Sequence, residues 1–111
     1  MLDTQHVVVM TTLPADADVS AFAHALVDAR LAACVNALPP MRSIYRWEGR
    51  IEQDDERLLL VKTSRDRVAS LWERVRELHP YDVPEFVVLP IVDGSESYLR
   101  WLTESTRPLA R

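Results

Sequence analysis

Leu58-Leu59-Leu60-Val61-Lys62 closes a strand from Ile51 to Thr63, and this closing stretch is apolar on successive rather than alternate residues. Such a strand is expected to be buried on both faces of a sheet. Upstream, Trp47-Glu48-Gly49-Arg50 reads as a turn, and residues 33–46 read as an extended segment broken by Pro39-Pro40. Downstream, Thr63 or Ser64, followed by Asp66, opens a helix whose stripe is Val68, Leu71, Trp72, Val75 and Leu78. His79-Pro80 stops it. At the front, His6-Val7-Val8-Val9-Met10-Thr11-Thr12 is a β-branched run ended by Pro14. Asp16 or Asp18 then caps a helix carrying Val19, Phe22, Ala23, Leu26 and Ala29-Arg30-Leu31. A last strand spans residues 85–92 and turns at Asp93-Gly94, after which Ser95 or Ser97 starts a short helix with Tyr98, Trp101 and Leu102.

The order β-α-β-β-α-β-α predicts an α+β fold, a ferredoxin-like sandwich with an additional C-terminal helix. The prolines agree with that topology. Proline cannot donate to a sheet ladder and belongs on edges or at bulges. Pro39-Pro40 falls in the second strand and Pro90 in the fourth, the two edges of a 4-1-3-2 sheet, while the first and third strands read without interruption.

The 111 residues, 48% hydrophobic and 27% charged, fit one domain over residues 1–111. No apolar run approaches the ~20 residues that span a bilayer. Met1 to His6 lacks a basic region followed by an apolar stretch, so no signal peptide is expected. The single cysteine, Cys34, excludes an intrachain disulfide and any multi-cysteine metal site, which points to the cytoplasm. A net charge of −4 argues against a nucleic-acid partner. Two glycines, Gly49 and Gly94, cannot write a Rossmann fingerprint or a P-loop.

A long second–third strand hairpin and an exposed fourth strand leave two open ladders, which invite pairing with another chain. Ile44, Tyr45 and Trp47 sit on that hairpin, and Tyr98 and Trp101 on the last helix. Interfaces favour tyrosine and tryptophan, and a closed ring satisfies both edges. The expectation is a homo-oligomer. The plainer alternative has these aromatics capping the open end of the protomer core.

Five stretches carry a family likeness. They are Leu31-Ala32-Ala33-Cys34-Val35-Asn36, Ser43-Ile44-Tyr45-Arg46-Trp47-Glu48-Gly49, Lys62-Thr63, His79-Pro80-Tyr81-Asp82-Val83-Pro84-Glu85 and Tyr98-Leu99-Arg100-Trp101-Leu102. In that order and spacing the chain resembles the CutA divalent-cation tolerance family, from Val7 to about Leu102. The resemblance implies a tightly interlocked homotrimer, a cytoplasmic location and a role in tolerance to copper and other divalent cations. Trimeric signalling proteins of the PII type share the architecture, which keeps open a reading in which a small molecule binds at subunit clefts. The ligands proposed for copper in the family carry over only in part. Where some members have a cysteine near the end of the first strand, this chain has Met10-Thr11. Where some have two adjacent histidines before the proline, it has Leu78-His79.

His79 is therefore the candidate ligand for copper or another divalent cation, with Met10 as a soft thioether. The competing reading is a helix-end histidine that hydrogen-bonds the last carbonyls. Cys34 is a candidate thiolate, or a small buried hydrophobe. Glu52, Asp54, Asp55 and Glu56 could attract a hard cation, but alternate strand residues point to opposite faces, so the run is expected to be solvated. Lys62 and Glu85 near apolar strands read as a structural ion pair or as contacts in a subunit cleft, together with Cys34, Tyr45, Trp47, Tyr98 and Trp101. Enzyme chemistry has little to stand on. The Thr12-Leu13-Pro14-Ala15-Asp16 loop has no glycine or arginine to cradle an anion, and no nucleophile–base pair can be assembled. An RNA-binding reading fails because Val7-Val8-Val9 and Leu58-Leu59-Leu60 offer no aromatics for base stacking.

Overall fold

The apolar run forms the centre of one sheet in a computed structural model that describes residues 5–109. The elements are β1 (His6–Pro14), α1 (Val19–Asp28), β2 (Cys34–Ala37), β3 (Met41–Trp47), β4 (Arg50–Ser64), α2 (Val68–Leu78), β5 (Val87–Pro90) and α3 (Glu96–Ser105). The strands pair antiparallel in the order β2-β4-β1-β5, with β3 pairing the N-terminal half of β4. This is the ferredoxin-like arrangement with the extra C-terminal helix.

The second strand of the sequence reading is two strands, and proline is the cause. The Leu38 N–H donates to the Leu58 carbonyl at 2.9 Å, after which Pro39 and Pro40 have no N–H to give. The ladder resumes at Met41, opposite Glu56. Arg57 fills the break by donating Nε to the Leu38 carbonyl at 2.9 Å. Shortening also affects β5, which covers Val87–Pro90 rather than residues 85–92, so Glu85 lies ahead of the strand.

Residues directly opposite on antiparallel strands share a face. On β1 and β4 the odd-numbered residues Val7, Val9, Leu13, Leu59 and Val61 pack against Val19, Phe22 and Leu26 of α1 and Leu71 and Val75 of α2. Burying each of these side chains stabilises the protomer by roughly 1.5–3 kcal/mol. The even-numbered residues look the other way. There the expectation of burial on both faces is met only in part: Leu59 and Val61 are sealed, while Leu58, Leu60 and Lys62 are half-buried. Among the described residues no second layer covers that face along its length. α3 closes one end, where Ser64 and Thr106 hydroxyls meet at 2.5 Å and His6 Nε2 lies 2.7 Å from Thr103 Oγ1.

Helix ends follow local chemistry. Asp18, rather than Asp16, caps α1 by accepting the Ala21 N–H at 3.0 Å. α1 then stops at Asp28, short of the expected Leu31, because Arg30 takes a left-handed φ of 59°. That turn sends the Arg30 guanidinium to carbonyls at and just beyond the end of α3, with Nη2 donating to Glu104 at 2.6 Å and Nε to Arg107 at 2.5 Å. A 3-10 turn over Arg65–Arg67 precedes α2, and Pro80 prevents α2 from continuing beyond Leu78. Ser95, not Ser97, caps α3 by accepting from the Tyr98 N–H at 3.3 Å.

Candidate functional site

The turn joining β3 to β4 places Glu48 at φ 50° and Gly49 at φ 77°, the paired positive values of a tight hairpin turn. Gly49 meets this requirement without a Cβ. The hairpin runs past the helix-covered core, and the segment 80–85 after α2 folds back toward it. Between them lies a cavity of about 750 Å³, with Met10, Tyr45, Trp47, Glu56, Tyr81 and Glu85 among its walls.

Two tyrosines fix carboxylates there. The Tyr81 hydroxyl donates to Glu56 Oε2 at 2.9 Å, and the Tyr45 hydroxyl donates to Asp54 Oδ2. The bond to Asp54 pushes the Tyr45 phenol up to about 12. Burial, followed by the Glu56 bond, pushes the Tyr81 phenol up as well. Glu85 is raised above the usual carboxyl range by burial and by the Glu56 charge. Glu56 itself is 7% exposed, which corrects the expectation of a uniformly solvated acidic run. Asp54 and Asp55 are exposed and Glu52 is half-buried, but Glu56 turns under residues 80–85.

His79 lies behind this wall. Its Nε2 donates to the Thr12 carbonyl at 2.6 Å, and its Nδ1 accepts the Tyr81 N–H at 3.1 Å. The ring stands edge-on to Phe22 with centroids 6.3 Å apart. These bonds belong to a neutral imidazole with the proton on Nε2, and desolvation holds its pKa below the ordinary value. Both ring nitrogens are occupied in fixing the corner between β1 and residues 80–85. The lone pair a metal would need is already accepting a hydrogen bond.

The remaining candidates separate into two groups. Tyr45, Trp47 and Glu85 gather at the cavity. Cys34 and Lys62 are opposite each other across β2 and β4, at the end closed by α3. Lys62 Nζ lies 6.0 Å from the Tyr98 ring centroid, and Tyr98 packs on Trp101 at 5.4 Å. Cys34 is half-buried, and its thiol points to Asn36 Oδ1 at 3.6 Å. Among the described residues Lys62 and Glu85 do not form the ion pair that is one of their two readings, because Lys62 sits beside Tyr98 of α3 and Glu85 beside the hairpin. Among the described residues no three His, Cys, Asp or Glu side chains converge as a metal site, so the side chains present do not fit a closed copper centre. Tyr81 and the buried role of Glu56 escaped the sequence reading. The pattern His79-Pro80-Tyr81 was the available signal, since proline after a helix fixes the direction of the next residues.

An antiparallel β2-β4-β1-β5 sheet with α1 and α2 on one face and α3 closing one end of the other defines a ferredoxin-like α+β protein. The CutA1 divalent ion tolerance protein family model matches residues 7–105, and the chain belongs to that family. It is 52% identical to a divalent-cation tolerance protein CutA of Thermus thermophilus, over 89% of this chain and 96% of that protein. A chloroplastic CutA protein of Arabidopsis thaliana is 45% identical over 91% of this chain, which spans 56% of that longer relative. Among solved structures, the Thermus thermophilus divalent cation tolerance protein superposes with a TM-score of 0.88 at 51% identity, covering 92% of this chain and 99% of that one. CutA1 of Oryza sativa gives 0.89 at 40% identity, covering 96% and 98%.

Proposed function

We propose that the chain acts as a homotrimer in tolerance to divalent cations, without catalysis and with only weak binding of copper or another divalent cation. The open face of the sheet carries this reading. Met10, Leu58 and Leu60 are half-buried there, Val87 and Leu89 on the β5 edge are 43% and 42% exposed, and Ile44 and Trp47 on the hairpin are 65% and 44% exposed. Apolar surface of this extent beside unpaired strand edges is stabilised by burial against further copies of the chain. A ring of three closes without leaving an edge.

Copper binding is weak in this reading because His79 must give up a hydrogen bond before it offers a lone pair. Few other ligands stand near enough to compensate. Single-cysteine usage supports a cytoplasmic protein, while relatives are named as chloroplastic in Arabidopsis thaliana and periplasmic in Archaeoglobus fulgidus. A PII-like trimer that binds a small molecule at subunit clefts is the second reading, and the 750 Å³ cavity beside the hairpin favours it. Light scattering on the eluting protein tests the assembly. The expected mass is about three times 12.7 kDa at micromolar concentration, and a stable monodisperse monomer overturns the proposal.

A further inference from the structure

The open face of the sheet carries opposite charges at its two ends. At the α3 end, Lys62 Nζ lies 6.0 Å from the Tyr98 ring centroid, and among the described residues no carboxylate pairs with it. Tyr98 and Trp101 pack together there and are 41% and 44% exposed, so this end presents an ammonium beside aromatic surface. At the hairpin end, Glu56, Asp82 and Glu85 wall the cavity, and no lysine or arginine lines it. Glu56 is held by Tyr81, whereas Glu85 is exposed in the single chain and, among the described residues, pairs with no basic side chain. Lys62 cannot serve these carboxylates within one chain. It stands six residues from Glu56 on β4, roughly 20 Å along the strand.

We propose that the α3 end of one copy seats against the hairpin cavity of the next, so that the ion pair of Lys62 with Glu85 forms between copies. The inference rests on the trimer reading above and names the contact that closes it. Charges on a face that becomes buried in assembly are costly unless paired. Pairing across the contact answers both ends at once, whereas a cation from solution would neutralise the carboxylates and leave Lys62 alone. The contact is head-to-tail. Each copy offers its lysine end to one neighbour and its carboxylate end to the other, and a ring repeats that contact without leaving either end unmatched. A twofold contact of one end with its own copy would set like charges against each other, which is unfavourable.

Charge exchange on the full chain tests the proposal, with mass read by light scattering over a dilution series at a fixed urea concentration. Lys62→Glu and Glu85→Lys each place like charges across the contact. Each should raise the concentration at which the trimer half-dissociates by about tenfold or more. The double variant, Lys62→Glu with Glu85→Lys, restores the pair in the opposite sense and should return that concentration to within about threefold of the wild type. Circular dichroism checks that each protomer folds. If a reversal variant does not fold, Lys62→Met and Glu85→Gln remove the charges at nearly constant volume, and their double-mutant cycle should show the same coupling. Single variants that assemble as the wild type does, or a double variant as weak as the two effects multiplied, overturn the proposal. A monomeric wild type fails the trimer reading and this contact with it, whereas a trimer indifferent to the charge exchange fails the contact alone.

Discussion

Val61 and Leu60 are adjacent on β4 and meet different surroundings. Val61 is fully buried beneath α1 and α2, whereas Leu60 is half-buried on the face that the helices leave open. Along β1 and β4 the odd-numbered residues close a core inside one chain. The even-numbered residues meet α3 at one end and residues 80–85 at the other, and between them they present apolar surface. The core that folds the protomer therefore concentrates on one face, and the association proposed above would use the other. A one-residue slip in the β1–β4 register would exchange the two sets, which is why that register is strongly specified.

The sharpest way to break this comparison is to truncate one residue from each face. Leu59→Ala should destabilise the protomer by about 2–5 kcal/mol, since a sealed site leaves a cavity. Leu60→Ala should cost the isolated protomer much less and act mainly on assembly. Urea unfolding at several protein concentrations separates the two effects, because only the assembly contribution depends on concentration. If Leu60→Ala proves as damaging as Leu59→Ala at high dilution, the open face is part of the protomer core and the division fails.

Trp47→Ala probes the open side at its outermost point. The residue sits beside the hairpin turn, beyond the helix-covered core, and is 44% exposed in the single chain. An interface tryptophan contributes about 2 kcal/mol or more. Dissociation on dilution should shift accordingly, followed by light scattering, while the protomer's circular dichroism stays unchanged. A variant that resists dilution as well as the wild type would falsify the placement of Trp47 in the interface.

The same division explains what the sequence made legible. Strand order and helix stripes follow from hydrophobic periodicity and proline positions, and Val7, Val9, Leu59, Val61, Leu71 and Val75 all carry that signal. The split at Pro39-Pro40 and the early end of α1 depend on single backbone events, an N–H missing at two positions and one left-handed Arg30. The candidate site was harder to read because its members come from distant segments. His79 is distinctive as a residue type, but only the fold shows that Thr12 and Tyr81 occupy its two nitrogens. Glu56 looked like one of four acids until residues 80–85 were seen to cover it. Lys62 and Glu85 looked like partners within one chain until the strand register placed them at opposite ends of the face.

His79 joins the two regions and gives a pH test. Its folded pKa lies below the unfolded value of about 6.5, so the unfolded chain binds the proton first as pH falls. The stabilisation from the neutral ring is complete above about 6.5, is lost as pH drops toward the folded pKa, and changes no further below it. Glu85 acts in the opposite direction: its raised carboxyl favours the folded state as acid protonates it, in the lower carboxyl range. Urea midpoints measured from pH 8 to pH 5 should therefore fall for the wild type, and the slope should flatten in His79→Gln. A slope unchanged by that substitution would place the acid sensitivity in another group.

The helix-covered face contains one exception to its own regularity, and it supports the smallest prediction. Thr11 and Thr63 are both fully buried among its apolar side chains. Thr63 donates its hydroxyl to the Leu31 carbonyl at 2.7 Å, whereas Thr11 Oγ1 is the buried side-chain polar atom without a partner among the described residues. Valine reproduces the branched shape of threonine and removes only the hydroxyl. At position 11 that change relieves an uncompensated desolvation and should stabilise the protein by up to about 1 kcal/mol. At position 63 it removes a buried donor from a carbonyl and should destabilise it by about 1–3 kcal/mol. Opposite shifts in the urea midpoint are thus expected from the same chemical change on neighbouring strands. If Thr11→Val lowers the midpoint as Thr63→Val does, the Thr11 hydroxyl has a partner in solution, and the core between sheet and helices is less completely apolar than its packing implies.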